Sequence, residues 1–156
     1  MNKHLIAAAM AVSLFAAGAA QAGPLPDGGV TAKEIAAVLQ AKGYRAEVGT
    51  DSDGDPMITS AGEGTEFKIL FYGCKTGRCH SIAFSVAYDM PNGVKIDRIN
   101  TWNRTKRFGR AYVDDVSDPF LRMDLDLEHG VSTEGVANNL ETWLAVLREF
   151  RQYIRE

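Results

Sequence analysis

The sequence predicts an α+β domain: an antiparallel sheet of about five to six strands with helices packed on one face, in the order α-β-β-β-β-α-β-β-α. Two observations predict it. Apolar residues recur at helical spacing in some segments, while others alternate or are dense in aromatic and β-branched residues. The connections between consecutive strand segments are of hairpin length and rich in Gly, Asp and Pro, which joins neighbours antiparallel and leaves one face for the helices.

Gly23–Val30 is rich in Gly and Pro and reads as a flexible lead-in, residues 23–30, to a single domain over 31–156. The first helix begins after Thr31, which with Glu34 has capping-box spacing; Ile35, Val38 and Leu39 follow on one face, and Gly43 ends it. Tyr44–Val48 is the first strand and Pro56–Ser60 the second, with the Asp51–Pro56 turn between them. Thr65–Tyr72 and His80–Tyr88 are the third and fourth strands, joined by a hairpin tip at Gly73–Cys79. The second helix covers about Lys95–Lys106, with Ile96, Ile99 and Trp102 expected inward. Strands at Arg110–Val113 and Pro119–Leu127 follow; in the latter Phe120, Met123, Leu125 and Leu127 are expected to face opposite to Arg122, Asp124 and Asp126. The last helix runs from Ser132 or Thr133 nearly to the end, its stripe made by Val136, Leu140, Trp143, Leu144, Leu147 and Phe150.

Residues 1–22 read as a signal peptide. Lys3 and His4 form a short basic head, Leu5–Ala20 is an apolar run, and Ala20-Gln21-Ala22 is a small-x-small cleavage site. The run is shorter than the roughly 20 residues that cross a bilayer, so cleavage after Ala22 is expected to leave no membrane span. The expected location is periplasmic or secreted. Cleavage removes Lys3 and no acid, taking the formal charge from −3 to −4. An acidic domain of this kind gives no reason to expect nucleic acid as a partner.

Cys74 and Cys79 are the only cysteines, and in an oxidising compartment they read as a disulfide closing the hairpin tip. A redox pair would favour two intervening residues at a helix N-terminus rather than four on a hairpin. A zinc site would need more ligands than His80 and His129 supply. Asp51-x-Asp53-x-Asp55 resembles the start of a calcium loop, but Pro56 stands where such a loop needs Gly and Gly62 where it needs Glu. It reads instead as an acidic turn. Asp114, Asp115, Asp118, Asp124, Asp126 and Glu128 form an acidic stretch that reads mostly as a solvated face. The chain has no nucleophile motif and no phosphate-binding glycine loop, and nothing in it calls for a metal or cofactor.

Arg98, Arg104, Lys106, Arg107 and Arg110 gather around the second helix beside Trp102, Phe108 and Tyr112. Around that helix the chain resembles the YbjN domain family of bacterial sensory transduction regulators. The resemblance rests on the block Ile99-Asn100-Thr101-Trp102-Asn103-Arg104-Thr105-Lys106-Arg107-Phe108-Gly109-Arg110-Ala111-Tyr112, followed by Asp118-Pro119, Asp124-Leu125-Asp126-Leu127 and Gly130-Val131-Ser132. It extends from about Val30 to Phe150. It implies the α/β fold of type III secretion chaperones and brings no catalytic residues.

The expected function is therefore that of an exported, non-enzymatic domain of the bacterial cell envelope. It would bind an unidentified protein or peptide, with a homodimer as one form. The candidate surface is Trp102, Asn103, Arg104, Phe108, Arg110 and Tyr112, with Trp102 and Phe108 as anchors if exposed and Arg104 and Arg110 pairing with carboxylates. Two rivals stand beside it. One is a small metal-dependent or hydrolytic enzyme, which requires Asp114, Asp115, Asp118 and Asp124 to converge in a pocket. The other is a purely structural envelope protein.

Overall fold

The structure, a computed structural model, describes residues 23–25 and 28–155; the expected signal peptide, residues 1–22, lies outside the described residues. The element order is α1 (Ala32–Ala41), β1 (Ala46–Thr50), β2 (Pro56–Gly62), β3 (Thr65–Lys75), β4 (Arg78–Ala87), α2 (Ile96–Thr105), β5 (Arg110–Val113), β6 (Pro119–Asp126) and α3 (Thr133–Tyr153). The six strands form one sheet in the order β1-β2-β3-β4-β6-β5, and every neighbouring pair is antiparallel. The predicted α+β order holds throughout.

Alternation decides which side of the sheet is covered. Ile58, Phe67, Ile69, Phe71, Ile82, Phe84, Leu121 and Met123 are buried beneath the helices. Successive strand side chains point to opposite faces, so the residues between them face away from the helices. Trp143 of α3 packs on Phe67 and Phe84, with ring centroids 5.8 and 5.7 Å away. Trp102 of α2 meets Phe150 of α3 edge-on at 4.9 Å. Helix α1 starts as its sequence dictates: the Thr31 side chain accepts from the Glu34 amide while Glu34 reaches back to the Thr31 amide. Helix α3 has a one-way cap, the Ser132 side chain accepting from the Gly135 amide.

Several expectations change: the first strand runs Ala46–Thr50 rather than Tyr44–Val48, and β3 and β4 extend through most of the expected Gly73–Cys79 tip. Ile96, placed inward from sequence, is 55% exposed because it opens the first turn of α2, before the helix settles on α3. Phe120 faces away from the helices and Leu121 toward them, since only one of two adjacent strand residues can point to each side. The lead-in is tied down wherever it is described. Pro24 bridges Ser132, Val30 bridges Cys79, and Leu25 donates to the Val131 carbonyl at 2.9 Å. Leu25 and Val30 join the core, which a polar, glycine-rich composition does not advertise.

Candidate functional site

Cys74 and Cys79 sit directly opposite each other on β3 and β4 and form a disulfide. Cys79 is buried, and its amide and carbonyl exchange hydrogen bonds with Val30. Next to it, Arg78 donates to the Gly29 carbonyl and to the Glu34 carboxylate. The hairpin tip is thus a structural clamp on the lead-in and the start of α1. Burial pushes the Glu34 carboxyl up, but the Thr31 amide and the Arg78 guanidinium outweigh it and hold the group below its ordinary value. The Tyr88 phenol is pushed above its ordinary value by burial.

The acidic motifs resolve into turns. Asp51 Oδ1 accepts from the amides of Asp53 and Asp55, each at 3.0 Å, so the aspartate run is folded around its own backbone. Asp114 Oδ1 does the same for Val116 and Asp118, and Asp118 Oδ1 accepts from the Met90 amide at 2.8 Å. Asp124 and Asp126 stand exposed on β6, away from those turns. Among the described residues no group of three or more His, Cys, Asp or Glu is placed to hold a metal.

The six candidate surface residues separate. Trp102 is fully buried and its Nε1 donates to the Gly109 carbonyl at 2.9 Å, so the condition on which it could anchor a partner is not met. Asn103 is occupied by the fold: it donates to the Ala111 carbonyl at 2.9 Å and accepts from the Ala111 amide at 2.8 Å. Lys106 pairs with Glu149, and Arg98 donates to the Tyr153 carbonyl at the end of α3, where a helix terminus favours a cation. Cations of α2 and its C-cap therefore meet α3. Gly109 has φ +78°, and a Cβ there would lie 2.7 Å from Val146 and 2.9 Å from Leu121. The most specific part of the sequence block is thus the brace between α2 and β5. Arg104 and Phe108 remain exposed on the helix side, with Arg107 over the Phe108 ring at 5.1 Å.

Arg110 and Tyr112 belong to the other side of the molecule. Tyr112 stacks on Phe120 at 5.0 Å across β5 and β6, which puts both rings on the sheet face that no helix covers. That face holds a shallow groove of about 780 Å³, lined by Met57, Leu70, Lys68, Ser85, Phe120 and Arg122, with the β1–β2 turn closing one end. Its floor is low because β4 contributes small residues, Ser85 and Ala87, beside the longer side chains of β3 and β6. Sequence alternation offered the signal: Leu70 and Tyr72 occupy the parity of Glu66 and Lys68, so an ostensibly polar face carries large apolar groups.

The domain is a one-layer sheet with helices on one face and a groove on the other. The family model of YbjN, described as "Putative bacterial sensory transduction regulator", matches residues 31–156. The chain belongs to the YbjN family. No curated protein matches it at the level of whole-sequence similarity.

Proposed function

We propose that this YbjN-family chain is an exported, non-enzymatic domain of the bacterial cell envelope that docks a protein or peptide on its open sheet face. The observation that carries the proposal is the groove itself. Large apolar and aromatic side chains (Met57, Leu70, Tyr72, Phe120, Tyr112) share a helix-free face with arginines, the composition typical of contact hot spots. The contact surface drawn from sequence is revised accordingly. Arg110 and Tyr112 keep their place in it, Arg104 and Phe108 form a separate patch, and Trp102 and Asn103 serve the fold. Export rests on the signal-peptide pattern and is compatible with the disulfide, which persists in oxidising compartments. Among the described residues no helix is long and apolar enough to cross a membrane.

The test is a photocrosslinking amino acid at Leu70, compared with the same label at Ala145 on the outer side of α3, in an envelope extract. The reading predicts one or two discrete adducts from position 70 that are absent from position 145; an adduct of the chain with itself would identify a homodimer. Adducts only from position 145, or none from either, would contradict it.

A further inference from the structure

Cross-strand register places an unbalanced row of charge on the open face. Lys68 lies opposite Ser85, Ser85 opposite Arg122, and Arg122 opposite Arg110, so three cations and one hydroxyl run straight across β3, β4, β6 and β5; beyond Lys68 the row continues through Thr59 to Glu47, which pairs with Arg45. Like charges directly opposed on neighbouring strands repel. Here Arg110 and Arg122 are opposed, and both guanidinium groups lie over the Tyr112 ring, at 5.8 and 5.6 Å. None of the three cations is in an ion pair among the described residues. Glu66, which also lines the groove, is bound to Arg45 at 2.8 Å, Asp51 at its rim accepts from the Asp53 and Asp55 amides, and Asp124 stands in the next row, opposite Ala83. Arg122 is half-buried at the groove, with Nε lacking any hydrogen-bond partner and one terminal nitrogen 3.4 Å from the Tyr72 hydroxyl. The desolvated Nε without an acceptor is costly, and a carboxylate arriving at the row would relieve the repulsion between Arg110 and Arg122.

We infer that the groove takes an extended acidic peptide segment, its carboxylates on the Lys68–Arg122–Arg110 row and its apolar side chains against Met57, Leu70 and Phe120. The row spans three strand spacings, about 14 Å, which four or five extended residues cover. An apolar-walled groove favours a peptide over a bare polyanion, whose charges would leave Met57 and Leu70 unused. This inference rests on the docking reading above and adds the chemistry of the partner.

The probe is a fluorescein-labelled heptapeptide with two glutamates alternating with leucine and phenylalanine, beside its glutamine twin. The glutamate peptide should bind about tenfold more tightly than the twin, roughly 1.4 kcal/mol. The difference should shrink as salt rises from about 0.05 to about 0.5 M. Arg122→Gln and Lys68→Gln should each abolish most of the difference, while Arg104→Gln on the helix side should not. Equal affinities for the two peptides, with binding lost in Phe120→Ser, would overturn the acidic preference and leave the docking face standing. Binding of neither peptide would overturn the inference, leaving the docking face to the crosslinking result. A phosphatidylglycerol vesicle that binds and outcompetes the glutamate peptide would overturn it in favour of a membrane surface.

Discussion

Asn103 closes the outer edge of β5 by taking up both the amide and the carbonyl of Ala111. An edge strand left open offers itself to any passing chain, so this one side chain both braces α2 and guards the sheet. Asn103→Ala strips those two groups of their partner and should cost about 1–3 kcal/mol. Gly109→Ala should be comparably harmful, since the new methyl meets Val146 and Leu121 in a backbone conformation that L side chains rarely adopt. Urea unfolding checks both, and Arg104→Ala should stay within about 0.5 kcal/mol of the native chain. Because these positions serve the fold, folded Asn103→Ala protein should still bind its partner. A variant of native stability that has lost its partner would instead return Asn103 to the contact surface.

Helix α1, the lead-in and the β3–β4 tip form a unit held by short-range polar contacts. The disulfide closes a loop of five-residue separation, worth on the order of 2 kcal/mol in the chain-entropy account. Arg78 and Glu34 add an electrostatic latch at 3.0 Å. The Glu34 carboxyl titrates below its ordinary value of 4.5, so its contribution is present above that value and is lost as pH falls through the folded-state value. Glu34→Gln should therefore be less stable than the native chain at neutral pH, and the gap in urea midpoints should close in acid. A gap that persists undiminished to about pH 3 would show that the carboxylate charge is not what matters. This unit also shows what sequence can convey. Thr31 and Glu34 announce the helix start because a capping box is a local pattern, and the cysteine spacing announces the hairpin. The pinning of Leu25 and Val30 could not be read, because it depends on where Ser132 and Cys79 arrive in space.

Across the whole molecule, the sheet separates a front from a back. All nine elements and their order were legible, since each is written in periodicity and turn residues within its own segment. The contact face was legible only in fragments. A cluster of cations and aromatics around α2 looks like one surface in sequence, yet the sheet sends Trp102 into the core and Tyr112 to the front, where it meets Phe120. The charge row is invisible in the chain because Lys68, Ser85, Arg122 and Arg110 become neighbours only through strand register. A formal charge of −3 likewise conceals this one row of cations, although Glu47, Glu66, Asp124 and Asp126 share its face. The central claim is that this front, not the α2 side, meets the partner. Its most direct test is a nitrogen–proton correlation spectrum of the labelled domain, recorded with and without the partner that the photocrosslink identifies. Shifts gathered on the amides of Lys68, Leu70, Ser85, Phe120 and Arg122 are the predicted result; shifts gathered on Arg104, Phe108 and the outer face of α3, with the sheet unchanged, would contradict it.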